Sequence, residues 1–370
     1  MQQPDGPTAP TSAAAQASPV VGHVYVDDNT AGTNTIGVFD RHADGTLTTR
    51  AGSPFTAGGA GTGTGLASQG ALQISPDGRF LIAVDAGSNQ LSVLRIRPDG
   101  SVTLVPGGVV SSGGVLPVSI TIHGDLVYAA NAGTGGSNYT GFRLRANGRL
   151  APIAGSAVTL PDGSQPGDVL FNSTGRNLAG ARVGTSQIDS FTVGRDGRLT
   201  AATQSPFPAQ GAGPFGSEFR PTNPHQLFVS NAHNAGAGSG TVSAFRVSAN
   251  GTLTSIGVSP FPDGQTAPCW VEITHDGRFL FTVNTASGTV SGYAIAPDGA
   301  LNLLGSTSAG GTSVGAVDAR LSPDGNFLYV DQSKTGAVAV FAVHGGTLTE
   351  LASSPSSLPS GATPAGIVVT

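Results

Sequence analysis

The sequence predicts an all-β chain folded as a seven-bladed β-propeller, with four antiparallel strands per blade, and three observations predict it. An Asp-Gly-type turn recurs at Asp44-Gly45, Asp99-Gly100, Asn147-Gly148, Asp196-Gly197, Asn250-Gly251, Asp298-Gly299 and Gly345-Gly346, about every fifty residues. A second turn recurs at Asp77-Gly78, His123-Gly124, Thr174-Gly175, Thr222 to Pro224, Asp276-Gly277 and Asp324-Gly325, one time fewer. The chain ends supply the missing piece: His23 to Asp27 matches the second strand of a unit, and Pro364 to Thr370 matches the first. Four short strands repeated at this period form a propeller blade.

Each element follows from local chemistry. In Ser75 to Thr103, Pro76-Asp77-Gly78 makes the first turn, because Asp and Gly tolerate the positive φ of tight hairpins. Phe80 to Val84 and Leu91 to Ile96 are β-branched and apolar runs around a polar loop, Asp85 to Asn89. Asp99-Gly100 closes the unit into its outer strand. The last strand of the chain completes the first blade, and this closure protects strand edges that would otherwise pair with other chains.

One domain over residues 20–370 is therefore expected, despite a length that would suggest two or three. The 56 glycines and 25 prolines occupy turn positions between apolar strands rather than an unpatterned tract. Residues 1–19, rich in Pro, Ala, Ser, Thr and Gln, read as a disordered tail or linker. They lack the basic start and apolar run of an intact signal peptide, yet such a linker suits a chain whose signal has been removed. Export to the periplasm or outside the cell is expected on that ground, with the cytoplasm as the alternative.

Charge is sparse and slightly acidic, −5 overall, with sixteen arginines and a single lysine, Lys334, spread along the repeats. That argues against a nucleic-acid or anionic-membrane surface. No apolar run is long enough to span a membrane. Cys269 has no partner for an intramolecular disulfide, and no Cys/His spacing suits zinc. No cofactor is expected. Calcium is left open by the carboxylates, although no loop has a calcium-loop spacing. A monomer acting on a small molecule is the expected state.

The segments Ser322-Pro323-Asp324-Gly325-Asn326-Phe327-Leu328-Tyr329-Val330 and Phe279-Leu280-Phe281-Thr282-Val283-Asn284, with Gly288-Thr289-Val290-Ser291 after the latter, resemble the lactonase family of seven-bladed propellers. That family includes enzymes similar to 6-phosphogluconolactonase and the carboxymuconate cyclases, so the resemblance implies a hydrolase or cycloisomerase. Related lactonases often carry Gly-Pro-Arg-His entering an inner strand. Here the stretch reads Gly213-Pro214-Phe215-Gly216-Ser217-Glu218-Phe219. The arginine that would pair with a phosphosugar is absent.

Function is expected on the face that carries the loops between outer and next inner strands and between the middle strands, around the central channel. Only His233 among the histidines falls in such a loop. Aligning inner strands on the first turn places Gln73, Leu170, Glu218, Glu272, Arg320 and Val368 at one level. Ala71, Asp168, Gly216, Trp270, Asp318 and Gly366 occupy the level nearer that face. The expected catalytic set is Glu218 or His233 as general base, Glu272 protonated or paired, and Arg320 binding an anion or oxyanion. A purely structural reading makes Glu272 and Arg320 an inter-blade ion pair, sets Glu218 on backbone amides and leaves His233 in solvent.

Expected substrate-binding residues are Arg182, Asp168, Asn231, Trp270, Asn284 and Asp318. The ring Asp28, Asp85, Asn131, Arg182, Asn231, Asn284 and Gln332 ends the second strands, where Asn and Asp ordinarily brace the next loop. Arg182 is the exception, a long cation expected to reach over the mouth. The leading expectation is a lactonase-like hydrolase or cycloisomerase for a small cyclic or unsaturated acid. The alternative is a non-catalytic exported propeller that binds a protein or glycan.

Overall fold

A computed structural model describes residues 18–370, and the expected tail at 1–17 lies outside the described residues. Ser18 and Pro19, the last two residues of the expected tail, contact the first blade. The Ser18 carbonyl lies 2.6 Å from the His42 ring, and the Ala43 N–H donates to the Pro19 carbonyl at 2.9 Å. His42 and Ala43 flank the first blade's outer turn, so the Ser-Pro dipeptide has a surface to dock on.

Seven antiparallel sheets form the blades. The inner strands are Gly366–Val369, Leu72–Ile74, Pro117–His123, Pro166–Phe171, Pro214–Phe219, Pro268–Ile273 and Ala316–Leu321. Closure is as the sequence predicts: Gly366–Val369 pairs with Val20–Asp27, placing Val368 opposite Tyr25 and Gly366 opposite Asp27. Five blades add a two-residue strand beyond the expected four, such as Phe55–Thr56 and Phe261–Pro262, which pairs with the third strand. Four of these follow a Ser-Pro break, in which the serine hydroxyl takes over a ladder bond: Ser53, Ser205, Ser259 and Ser354 accept the N–H of Val38, Ser190, Ala244 and Val340 at 2.7–3.0 Å.

The core lies between blades. Alternate residues on a strand face opposite sides, so Tyr25 packs with Leu72 and Leu81 of blade two, whereas Val24 and Val26 pack with Tyr329 and Val340 of blade seven. Fully burying side chains of this size contributes about 1.5–3 kcal/mol each. The ring is therefore held by seven similar interfaces, and the inner strands are fixed on both sides. That rigidity is what lets channel side chains hold a defined geometry. No helix among the described residues is long and apolar enough to cross a membrane.

Candidate functional site in the central channel

The glycine-rich segment after the first blade is the feature that shapes the channel. Gly58 to Gly65 has the Gly/Thr composition of a free surface loop. The structure instead ties it to blade one, where Asn29 Nδ2 donates to Thr62 Oγ1 at 3.0 Å and Gly61 N–H donates to the Thr30 carbonyl at 3.0 Å. The chain then turns inward and crosses the channel at Ser68-Gln69-Gly70, all buried.

This crossing bonds to five other blades. Gly70 accepts from Ile120 N–H of blade three at 2.9 Å, and Gln69 N–H donates to Gly167 O of blade four at 2.9 Å. Gln69 Nε2 donates to Ser217 O of blade five at 3.1 Å and to Val271 O of blade six at 3.2 Å, while Oε1 accepts the Val271 N–H at 3.0 Å. Gly70 N–H donates to Asp318 Oδ2 of blade seven at 3.1 Å. A plug thus separates the loop face from the channel interior.

Beneath it lies a cavity of about 160 Å³, bounded by Gln69 and Gly70 and walled by Gln73, Thr121, Leu170, Glu218 and Arg320 among others. Solvent reaches the levels unequally. Ala71, Ser119, Asp168, Trp270 and Asp318 beside the plug are buried, whereas at the next level Gln73, Leu170, Glu218 and Arg320 are half-buried and Thr121, Glu272 and Val368 stay buried. The channel therefore opens towards the first turns.

Glu272 and Arg320 form the ion pair that the repeat alignment brings into neighbouring blades. Arg320 Nη1 lies 2.8 Å from Glu272 Oε2, and the second carboxylate oxygen accepts the Leu321 N–H at 2.9 Å. No other hydrogen bond joins this guanidinium to the described residues, leaving its remaining N–H groups for the cavity. Glu218 is the unusual member: its Oε2 is buried without a hydrogen-bond partner. Burial and then the Glu272 charge push its pKa well above the ordinary value, against the opposing pull of Arg320. Burial beside a second carboxylate favours the protonated form of such a group.

Asp168 and Asp318, expected as substrate ligands, staple the blades. Asp168 Oδ2 accepts Ser217 N–H at 2.9 Å and Ser217 Oγ–H at 2.6 Å, and Oδ1 accepts from Ser119 Oγ at 3.3 Å. Asp318 holds the plug and its own neighbour, accepting the Ala319 N–H at 2.9 Å. Burial raises Asp168 to about 7 and Asp318 to about 6.

The other expected residues are not brought to this cavity. Arg182 does not project over the mouth: Nε and Nη2 reach Asp189 Oδ2 and Oδ1 at 2.6 Å each, inside blade four. Asn231 and Asn284 brace third strands, donating to Ser243 Oγ and Ser291 Oγ at 2.8 Å. His233 caps its own loop, with Nε2 at 2.9 Å from Thr241 Oγ1, and so stands on the far side of the plug from Glu218. Trp270 is buried against Phe215, ring centroids 5.4 Å apart. Cys269 is buried, and that burial pushes its thiol up to about 12, which keeps it protonated. Among the described residues, no group of three or more His, Cys, Asp or Glu is placed to hold a metal ion.

Sequence reading missed Gln69, Thr121 and Ser119. Thr121 and Ser119 lie in the blade whose first turn is a residue short, and their hydroxyls accept Phe171 N–H at 3.0 Å and Val169 N–H at 3.2 Å. Those bonds fix their register with the Glu218 and Asp168 levels. Larger furrows of about 320 and 360 Å³ run between neighbouring first turns, at Ser75–Phe80 beside Asp125 and at Thr274–Phe279 beside Asp324. They are surface grooves lined by turn residues, whereas the channel cavity has the buried polar groups that orient a ligand.

The chain belongs to the lactonase family of seven-bladed β-propellers, whose model matches residues 32–159 and 220–364. The unmatched stretch between them holds blade four and the Glu218 strand. No curated protein matches the chain in sequence. Among solved structures it is similar to a periplasmic gluconolactonase of Pseudomonas aeruginosa, at 20% identity over 94% of this chain and 99% of that one, with a TM-score of 0.74. A Bacteroides uniformis structure assigned provisionally as a 6-phosphogluconolactonase gives 20% identity, coverage of 94% and 99%, and a TM-score of 0.75. A hypothetical selenium-binding protein of Sulfolobus tokodaii shares the architecture at 12% identity, coverage of 96% and 94%, and a TM-score of 0.68. Likeness at these identities is likeness of fold.

Proposed function

We infer that the protein is a lactonase-like hydrolase that opens a small, anionic cyclic ester in the channel beneath the plug. The observation that carries this reading is Glu218 Oε2, a buried carboxyl oxygen with no partner, lining the same cavity as the partly free guanidinium of Arg320. Family membership supports the reaction class, and the periplasmic gluconolactonase supports export.

In the productive state Glu218 is ionised and takes a proton from water as the water oxygen attacks the ester carbonyl. Arg320 faces the oxyanion or the substrate carboxylate, and Glu272 holds that guanidinium in place. Collapse breaks the ring C–O bond, and Glu218 returns the proton to the leaving alkoxide to give the open hydroxy acid. The cavity is smaller than the roughly 300–1,000 Å³ of drug-sized sites. It therefore selects a compact substrate without a bulky phosphate. A cycloisomerase would use the same base to move a proton on an unsaturated acid, so both substrate kinds belong in one screen.

The test is hydrolysis of a lactone panel, with unsaturated acids alongside, by the native chain and Glu218→Gln. The variant is expected to lose about 10²–10⁴-fold in kcat at an unchanged melting temperature. Because Glu218 holds its proton unusually tightly, kcat/KM should climb with pH through a midpoint well above the carboxylate range. A native chain silent on the whole panel would overturn the hydrolase reading in favour of a channel that binds a small acid without converting it.

A further inference from the structure

We propose that Gln69 is a positioning residue whose side-chain amide, threaded across the channel from blade two, sets the spacing of Glu218 and Glu272 and seals their cavity from the loop face. The proposal rests on the reading that this cavity is the reaction site.

The geometry is specific. The amide touches the backbone of Ser217 and Val271, the residues immediately before Glu218 and Glu272. Both carbonyls and the Val271 N–H belong to inner strands of neighbouring blades, so one planar group ties the two strands at the step next to each glutamate. Main-chain bonds on either side of Gln69 fix its own position, from Gly167, Ile120 and Asp318. The site leaves room for it: a Cβ at Gly216 would come within 2.0 Å of Gln69 Oε1 and within 2.5 Å of the Cys269 carbonyl oxygen. Gly216 is the residue that replaces the histidine of the family pattern Gly-Pro-Arg-His.

Without that tie the two strands are free to part, and separating the glutamates weakens the repulsion by which Glu272 opposes ionisation of Glu218, since like charges suppress each other's ionisation at close range. Removal of the amide also opens a path for water from the loop face, easing the burial that keeps Glu218 protonated. Both effects act on Glu218 in the same direction. Neither requires Gln69 to touch substrate.

The chain has three glutamates, Glu218, Glu272 and Glu350, and Glu350 is exposed. Protein labelled with carbon-13 at the glutamate carboxyls therefore gives three signals with a reference built in. In Gln69→Ala the Glu218 signal is expected to titrate at lower pH than in the native chain. With a lactone substrate, kcat should fall about 10²-fold, as a misplaced group costs, while KM changes little, and the pH profile should move with the signal. If Gln69→Ala does not fold, Gln69→Leu, which fills similar space without the hydrogen bonds, must move the titration in the same direction.

An unmoved Glu218 titration in a folded variant would overturn the proposal, whether or not the native chain hydrolyses any lactone. A moved titration in a chain inactive on every lactone would uphold the spacing role of Gln69 and overturn the hydrolase reading alone.

Discussion

Arg182 shows how a residue can break a repeat and still keep its role. Five of the seven second strands end in Asp or Asn, which brace a hydroxyl or amide of the third strand. Blade four inverts the polarity: the cation stands on the second strand, and Asp189 takes the place of the Ser or Thr partner. Removing one member of a buried pair costs about 3–5 kcal/mol, because a charge is left without compensation. Arg182→Met should therefore lower the melting temperature sharply without changing KM, and Arg182→Met with Asp189→Leu should recover part of the loss. A raised KM at unchanged stability would restore Arg182 as a substrate anchor. The sequence hid this because the arginine's partner is another exception to the repeat. The Glu272–Arg320 pair was legible, because aligning first turns puts both at one level in adjacent blades. Gln69 was not, because its bonds span 148 and 202 residues and no repeat position contains it.

At the level of elements, the plug decides which face the channel uses. Its sequence offers no hairpin signal, and a Gly/Thr/Ser run is ordinarily a surface loop. Burial of Gln69 and Gly70 is supported by inner-strand N–H and C=O groups and the Asp318 carboxylate, which satisfy their polar atoms. On the proposed reading, substrate enters between the ends of the inner strands near the first turns. Leu170, half-buried in the cavity wall, is a place to block that entrance. Leu170→Trp should abolish turnover or raise KM strongly in a folded protein, whereas His233→Ala, on the far side of the plug, should leave kcat/KM unchanged. The reverse pattern in a steady-state assay would mean that the plug opens and the loop face admits the substrate.

The whole molecule was the most legible scale, since seven equal turns and complementary chain ends leave few other ways to bury the strands. What sequence does not reveal is how many acids the closed ring buries. Burial raises Asp28 and Asp168 to about 7 and Asp263 and Asp318 to about 6. Asp27 and Asp331, for the same reason, also sit well above the ordinary value. Unfolded aspartates ionise near 3.9. Between about pH 4 and 7 the folded chain thus binds more protons, so stability rises as pH falls across this window. Each unit of raised pKa corresponds to about 1.4 kcal/mol. Exposed turn aspartates act elsewhere: hydrogen bonds from Thr46, Ser75 and Ser101 hold Asp44, Asp77 and Asp99 low, and their contribution is lost only below about pH 4. His23, lowered by burial despite Asp40, opposes the trend as one group against the raised carboxyls, which include Asp85 and Glu218 as well. The melting temperature should therefore be higher at pH 5 than at pH 8. Asp331 is the sharpest probe, being fully buried with neither carboxyl oxygen hydrogen-bonded. Asp331→Asn removes the ionisation and should raise the melting temperature at pH 8 but scarcely at pH 5. Calorimetry at the two pH values checks both statements, and a native chain that melts lower at pH 5 than at pH 8 would show that these buried carboxyls are already ionised in the folded ring.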